Sequence, residues 1–379
     1  MKNYLDNLCV WLGTNPPPLP MILGLDGFVD SMIHVVDTRT SPRDYKRIET
    51  ISDYSARIAS AAGLSTNIEL VEYDCRLGGN GPNMAASLLE YGVELSYFGT
   101  IGYPDIHPVF RDMAKRCRAV YPLGNPGLTD ALEFLDGKLI IGKHSALLDL
   151  DWPRVREAFG GALGMADAIG GCALLGIKNW TMLPHMNNIW EGILTEVFPL
   201  LPTDATHPRP IAFFDLCDPA KRTPADIRRA MELMVRFGSH FRVVLGLNGK
   251  ELFEVGEALG IEPNHSLPEA ELNRSLSHSL YDTLGIYSLV VHPVREAFAW
   301  HDGQYYHVPG PYCPNPLLTT GAGDNFNAGF CLAITHGRHP AEALLLGVAT
   351  SGFYVRNAKC PTTTDAKNLL EAWDKGMLD

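Results

Sequence analysis

The sequence predicts an α/β protein with a central, mostly parallel sheet and helices on both faces, and two observations lead to this prediction. From Met21 onward, short β-type runs alternate with longer segments of helical periodicity, which is typical of a parallel sheet. The β-type runs are apolar throughout rather than alternating, as expected for strands that are covered on both faces. We therefore expect one large domain over residues 1–379.

The individual elements follow from these patterns. Strands are predicted at residues 21–25, 95–101, 172–177, 211–216, 242–247 and 286–292. Helices are predicted at about 82–91, 107–117, 154–166, 183–197, 224–237, 249–258, 269–284, 324–336, 340–355 and 365–373. Helix 224–237 has the clearest ends, with Thr223 as N-cap, Pro224 in the first position and Gly238 as the stop.

Two segments interrupt the alternation. Residues 30–50 and 120–145 have the pattern of strands and a hairpin, and both fall outside the regular strand-and-helix units. We expect them to pair into a small separate sheet that forms a lid on the main domain.

Composition limits the classes of function. The formal net charge is 31 − 43 = −12, which argues against a nucleic acid or an anionic membrane as the principal partner. The 8 cysteines include no CxxC pair, so neither a zinc site nor a disulfide framework is expected. The N-terminus has no apolar run typical of a signal peptide, and no stretch is apolar enough to span a membrane, so we expect a cytoplasmic protein.

The segment from Thr319 to Phe330, Thr-Thr-Gly-Ala-Gly-Asp-Asn-Phe-Asn-Ala-Gly-Phe, leads from a Pro-rich loop into an apolar helical pattern. Its glycines allow a tight turn that presents successive N–H groups at a helix N-terminus, where a phosphoryl anion is stabilised. Asp324 would lie beside that anion, where a general base for an attacking hydroxyl belongs. A tight turn with Asp324 as a simple helix cap also fits this segment alone.

A second glycine-rich segment, Gly-Gly-Asn-Gly-Pro-Asn at residues 78–83, leads from a strand candidate into a helix. A dinucleotide fingerprint requires a third glycine where this chain has Met84, so a Rossmann site is excluded here. The turn presents Asn80 and Asn83, whose amides can donate hydrogen bonds to sugar hydroxyls and accept them. An ordinary loop with a capping Asn fits equally well when the segment is taken alone.

Together, the two segments resemble the paired signatures of the ribokinase-like carbohydrate kinases, also called the phosphofructokinase B type. The resemblance extends from Met21 to about Trp373. It implies a central sheet flanked by helices, a small β-sheet lid over the sugar, and phosphoryl transfer from ATP with Mg²⁺.

The resemblance also implies roles for the glycine-rich helix start. Asp324 falls on the family's catalytic base. The amides of Ala322, Gly323 and Asp324, in the turn that Gly321 opens, fall on its anion hole.

Further roles follow from the same resemblance. Asn248 and Glu251 match the family's Asn-x-x-Glu element, in which the Glu helps to organise Mg²⁺ through water near the phosphates. Asp26 and Asp30 end the first strand, where family members place an acid on the sugar hydroxyls, and either of them suits that role. The acceptor site would be completed by Gly79, Asn80 and Asn83.

The chain departs from the family pattern at two positions. Leu318 stands where many members have an Asp that helps to hold potassium, so a monovalent cation is doubtful. Arg295 follows the strand at 286–292, where members usually carry a glycine turn against the nucleotide; it either replaces that turn with a charge-assisted contact or is a solvated loop residue. Lys221 follows the strand at 211–216 and either neutralises the phosphates or belongs to a solvated loop.

These observations predict an ATP-dependent kinase that phosphorylates a hydroxyl of a small sugar or sugar-like acceptor. A nucleoside kinase on the same fold remains an alternative, because the sequence does not define the acceptor. A catalytically weak sugar or nucleotide sensor is the other alternative, since the usual nucleotide-loop glycine and the Asp at Leu318 are missing. The family's lid often mediates dimers, and residues 120–145 are apolar enough for a homodimer through the lid.

Overall fold

The structure is a computed structural model that describes residues 1–202 and 209–378. Its strands are β1 (Pro20–Leu25), β2 (Phe28–Arg39), β3 (Tyr45–Arg47), β4 (Leu70–Gly78), β5 (Glu94–Gly99), β6 (Ala119–Pro122), β7 (Gly127–Phe134), β8 (Gly137–Lys143), β9 (Leu174–Ile177), β10 (Ile211–Asp215), β11 (Arg242–Leu247), β12 (Ser288–Val291), β13 (Glu296–His301) and β14 (Gln304–Pro309). Its α-helices are α1 (Lys2–Gly13), α2 (Ile51–Ser60), α3 (Asn80–Glu90), α4 (Arg111–Arg116), α5 (Trp152–Ala158), α6 (Ala162–Gly170), α7 (Met186–Gly192), α8 (Pro224–Arg236), α9 (Gly249–Ala258), α10 (Glu269–Leu284), α11 (Ala322–Thr335), α12 (Pro340–Asn357) and α13 (Thr363–Asp374).

The main sheet has nine strands in the order β14-β13-β12-β11-β10-β9-β1-β5-β6. The strands from β12 to β6 in that order pair in parallel, whereas β13 pairs antiparallel with both β12 and β14. The predicted fold class is confirmed. Sequence analysis missed the hairpin, although its turn residues, Asp302 and Gly303 with φ of 50° and 72°, are a known hairpin signal.

The apolar strands bury side chains on both faces of the main sheet. In β10, Ala212 and Phe214 belong to one hydrophobic core, while Ile211 and Phe213 belong to the other. The first core lies under α5 to α10, and the second lies under α1, α3, α11, α12 and α13. Because successive residues of a strand point to opposite faces, continuous apolar runs are required here.

Most helix boundaries agree with the predictions, and two differences have a local cause. The helix predicted at 154–166 is two helices, α5 and α6, because Gly160 and Gly161 separate them with φ of 73° and 114°. Helix α2 was not predicted. It begins after Thr50, whose side chain accepts a hydrogen bond from the Asp53 amide, and it packs by Tyr54 against Phe134 with ring centroids 5.5 Å apart.

The smaller sheet has the order β3-β2-β7-β8, with β4 paired to β2. Its own core contains Ile33, Val35, Leu132 and Phe134. The segment predicted at 120–145 is wrong at its start, because β6 joins the parallel main sheet beside β5 rather than the smaller one. Strand β4 is a further member of the smaller sheet, outside both predicted segments. That this sheet acts as a lid stays a prediction.

Within residues 1–202 and 209–378, no helix combines the length and apolar character needed to cross a bilayer.

Candidate active site

Polar residues collect at the carboxyl edge of the main sheet. One polar residue stands at or directly after the end of each of five neighbouring strands, β1, β9, β10, β11 and β12. These residues are Asp26, Lys178, Asp215, Asn248 and His292. The N-terminus of α11 lies over the same edge, so the fold brings together side chains that are far apart in the sequence.

The first turn of α11 is built to leave amides free. Gly321 is the N-cap in a left-handed conformation with φ of 86°, and it has no side chain to cap the helix. The Ala322 amide donates to the Thr319 carbonyl at 3.0 Å. In the described part of the chain, the amides of Gly323 and Asp324 have no such backbone acceptor. The free N–H groups that can bind an anion are therefore those of Gly323 and Asp324, and the predicted contribution of the Ala322 amide is reduced.

Asp324 is buried, with 6% of its surface exposed. Its Oδ2 accepts a hydrogen bond from Asn83 Nδ2 at 3.3 Å, and its Oδ1 lies 3.3 Å from Lys178 Nζ. Burial raises the pKa of Asp324 to about 7; Asp215 and Asp26 add to this rise, while Lys178 and Asn83 oppose it. A carboxyl group with a pKa near neutrality can both take up and release a proton under ordinary conditions.

Asp26 is fully buried, and its carboxylate holds the turn at the start of α3. Its Oδ2 accepts from the Asn80 amide and from Asn179 Nδ2, and its Oδ1 accepts from the Gly81 amide, each at 2.8 Å. A Cβ atom at Gly79 would lie 2.7 Å from Asp26 Oδ2, which explains the glycine there. Asp26 and the backbone of residues 79–81 therefore shape the site rather than line its cavities.

Asp30 does not end the first strand, as the sequence predicted, but lies on β2 of the smaller sheet. It lines a small cavity between the smaller sheet and the starts of α3 and α11, which we name the junction cavity, together with Arg76, Asn83, Lys138, Leu318 and Thr320. Burial raises the pKa of Asp30, against the effects of a hydrogen bond from Thr129 and of the Lys138 charge. Of the two acids that the sequence left as alternatives, only Asp30 borders a cavity next to Asn83.

A second cavity of about 360 Å³ lies on the other side of the α11 N-terminus. We name it the apolar cavity, because the apolar side chains of Pro293, Pro311, Phe326, Val348 and Val355 are among those that line it. Asn248, His292, Tyr312, Thr319 and Gly323 also line it. Burial lowers the pKa of His292 to about 4, so this imidazole is neutral at pH 7.

Arg295 lies at the rim of the apolar cavity and does not line it. Its guanidinium lies over the ring of Tyr312, 3.8 Å from the ring centroid, and Tyr312 is a wall of the cavity. Arg295 therefore reaches this cavity through a cation–π contact with Tyr312.

Glu251 is buried, with 5% of its surface exposed, and braces a loop. Its Oε2 accepts from the Asn248 amide and its Oε1 from the Asp218 amide, both at 2.9 Å. Burial, together with Asp215, raises the pKa of Glu251 to about 7.

Lys221 is exposed and forms an ion pair with Asp218 at 3.1 Å, so its charge is partly neutralised.

Sequence analysis assigned no role to Lys178, Asn179, Asp215 or Asn327. Lys178 Nζ forms an ion pair with Asp215, and Asn327 Nδ2 donates to Asp215 Oδ2 at 2.7 Å. The available signal was a lysine or an aspartate directly at the end of an otherwise apolar strand. The partners of each residue are 37 to 153 positions away, so the pairing itself was not visible in the sequence.

The fold and this site define a carbohydrate kinase of the ribokinase type. A ribokinase from Arabidopsis thaliana, solved with ribose and ATP, is 16% identical, with 94% of this chain and 99% of that chain covered and a TM-score of 0.61. A protein named ribokinase II from E. coli, solved with ATP and Mg²⁺, is 13% identical, with 94% and 99% covered and a TM-score of 0.60.

The sequence comparison is more specific. The model of the prokaryotic ketohexokinase family matches residues 15–373, and this chain belongs to that family. A ketohexokinase from Haloferax volcanii is 29% identical over 361 residues, which cover 95% of this chain and 92% of the relative.

Proposed function

We propose that this enzyme transfers the γ-phosphoryl group of ATP to a hydroxyl of a ketohexose, with Asp324 as the general base. One observation carries the proposal: the segment 318–324 separates two cavities. Leu318 and Thr320 line the junction cavity, whereas Thr319, Ala322 and Gly323 line the apolar cavity. A sugar in the first cavity and a nucleotide in the second would meet at Asp324 and the free amides of α11.

The sugar would bind at the junction cavity, where Asp30 and Asn83 offer hydrogen-bonding groups to its hydroxyls. This cavity of about 50 Å³ would have to widen to hold a whole hexose. Gly79, Asn80 and Asp26 would act on the sugar only through the shape of the turn. The family membership favours a ketohexose over a nucleoside as the acceptor.

In the reaction, Asp324 takes the proton of the acceptor hydroxyl, and the oxygen forms a bond to the γ-phosphorus. The bond from that phosphorus to the bridging oxygen of ATP breaks, and its electron pair leaves with ADP. The amides of Gly323 and Asp324 hold the negative charge of the phosphoryl group during the transfer. The proton stays on Asp324, whose pKa of about 7 allows its later release.

The nucleotide would occupy the apolar cavity, with its base against the apolar walls and Tyr312. Within the described residues, there is no group of three or more His, Cys, Asp or Glu side chains that could hold a metal ion. This fits Mg²⁺ that arrives with ATP, because this ion keeps several waters and needs only one or two carboxylates. Glu251 would hold it through water, and the ion would supply charge neutralisation of the phosphates.

Potassium is not required in this proposal. Leu318 has no ligand atom in its side chain, which borders the junction cavity instead. The Thr320 carbonyl already accepts a hydrogen bond from the Tyr354 hydroxyl at 2.9 Å.

Homodimer formation through the smaller sheet stays a prediction, and light scattering of the purified protein would measure it.

The acceptor is tested by following ADP release with ATP and Mg²⁺ over a panel of ketohexoses, aldohexoses and nucleosides. The proposal predicts kcat/KM values for at least one ketohexose that exceed those for aldohexoses and nucleosides by about 100-fold, the size expected from one or two buried hydrogen bonds. A nucleoside as the best acceptor would show that the proposed substrate class is wrong.

A further inference from the structure

The site contains a buried ammonium group with an arrangement that phosphate binding does not explain. The side chain of Lys178 has no exposed surface. Its Nζ lies between two carboxylates, paired with Asp215 Oδ2 on one side and 3.3 Å from Asp324 Oδ1 on the other. Phe213 closes a further side, with its ring centroid 5.3 Å from Nζ. Lys178 is therefore enclosed by protein groups and does not line either cavity.

Asp215 binds Lys178 on the side opposite Asp324. Its Oδ2 accepts from Asn327 Nδ2 at 2.7 Å as well as from Lys178, and Asn327 is one turn of α11 beyond Asp324. Burial lowers the pKa of Lys178, but the charges of Asp215 and Asp324 outweigh this effect and raise it above its ordinary value. Lys178 is therefore positively charged at neutral pH.

The Oδ1 atom of Asp324 depends on this ammonium. It is buried and accepts no hydrogen bond from any described residue, so the charge of Lys178 is its compensation. A buried carboxylate without a partner would take up a proton instead of staying ionised, and a protonated Asp324 could not act as a base.

We propose that Lys178 is the positioning residue that keeps Asp324 ionised and oriented towards the acceptor hydroxyl, and that Asp215 limits this effect by sharing the ammonium. This inference rests on the proposed role of Asp324 as base. Asp215 and Asp324 compete for one positive charge, and each also repels the other. The two substitutions Lys178→Met and Asp215→Asn must therefore shift the titration of Asp324 in opposite directions.

Other titratable groups surround the cluster of Lys178, Asp215 and Asp324. Asp26 repels the Asp324 carboxylate, and Asp215 repels the Glu251 carboxylate. Five further groups are neutral at pH 7: Tyr97, Cys217, His292, Cys331 and Tyr354. The charge around Asp324 is therefore set by the acids and Lys178. None of the five neutral groups is itself substituted in the two variants.

The experiment measures kcat/KM for the sugar from pH 5 to pH 10 in wild type, Lys178→Met and Asp215→Asn. A matched control is Lys115→Met, because Lys115 is a surface lysine whose side chain is 76% exposed. Loss of an opposite charge at this distance shifts a carboxyl pKa by about two units, so the acid limb of Lys178→Met should move up by about two pH units. At pH 7 its kcat/KM should fall about 50-fold, and most of that loss should return above pH 9.

In Asp215→Asn, the acid limb should move down by about one unit, because one repelling carboxylate is lost while the shape is kept. Lys115→Met should match the wild type. If Lys178→Met does not fold, Asp215→Asn tests the proposal by itself. An acid limb that stays in place or moves upward in Asp215→Asn, or a pH-independent loss in Lys178→Met, would overturn the proposal. A fully active Asp324→Asn would instead show that the base assignment itself has failed, and the role of Lys178 would fail with it.

Discussion

The role of Asp26 leads to a prediction about both stability and catalysis. Its carboxylate accepts three hydrogen bonds, from the amides of Asn80 and Gly81 and from Asn179, with no exposed surface. Asp26→Asn keeps the size of the side chain but provides one acceptor oxygen, and its amide group would face at least one N–H donor. The substitution therefore removes at least one hydrogen bond to a charged group, and the other two become neutral.

Two opposing effects set the magnitude. A hydrogen bond to a charged group contributes about 1.5 to 3 kcal/mol, and a buried N–H without an acceptor costs a further 1 to 3 kcal/mol, so the gross loss is about 4 kcal/mol. Burial raises the pKa of Asp26, which means that the ionised form is itself costly, and a neutral amide relieves part of this cost. We expect Asp26→Asn to lower the free energy of unfolding by about 2 kcal/mol.

The assay combines urea unfolding, followed by tryptophan fluorescence, with ADP release. Because the turn at residues 79–81 leads directly to Asn83, its displacement should lower kcat about tenfold while KM for the sugar changes less. Unchanged stability together with a large rise in KM for the sugar would refute this reasoning, since that result would make Asp26 a direct sugar ligand.

Three further predictions concern the two cavities and Asp324. Because burial raises the pKa of Asp324 to about 7, the base is mostly protonated below that pH. The kcat/KM of the wild type should therefore reach a plateau above about pH 8 and fall to about a tenth of the plateau at pH 6. A flat profile of kcat/KM between pH 5 and 8 would contradict this prediction. Asp30→Asn should raise KM for the sugar about tenfold in initial-rate measurements and change the free energy of unfolding by less than about 0.5 kcal/mol, whereas an unchanged KM would remove Asp30 from the sugar site. In Gly323→Ala, the new Cβ would lie 3.2 Å from His292 Cε1, beside a free amide, so KM for ATP should rise at least about tenfold while KM for the sugar stays constant. Equal rises in both KM values would place the effect on the whole site rather than on the nucleotide.

The sequence was sufficient for features with local signals. Continuous apolar runs identified the parallel strands, because residues such as Phe213 and Phe214 must enter two different cores. The glycines at 321 and 323 identified the start of α11, because the left-handed N-cap favours glycine and a Cβ at residue 323 would lie only 3.2 Å from His292 Cε1. These constraints act over a few residues, so they can be recognised as short sequence motifs.

Features that depend on distant contacts were not predictable. Asp26 and Asp30 both follow the first apolar run, but Asp26 directly follows β1 and accepts hydrogen bonds from the start of α3, whereas Asp30 lies on β2 of the smaller sheet and borders a cavity. The three groups Lys178, Asp215 and Asp324 come from three separate elements, and their meeting is a property of strand order. The hairpin β13–β14 carried a local signal in Asp302 and Gly303 that was overlooked.

The most direct test of the account is the turnover of Asp324→Asn with saturating sugar, ATP and Mg²⁺. Asn has nearly the same shape and keeps the backbone amide that binds the anion, but it cannot accept the proton of the hydroxyl. Asp112→Asn, at a site where the Asp side chain is 98% exposed, serves as the control. We expect kcat to fall by about 100-fold or more, while calorimetric affinities for sugar and nucleotide stay within about threefold of wild type. A kcat within about threefold of wild type would contradict the central claim that Asp324 is the base.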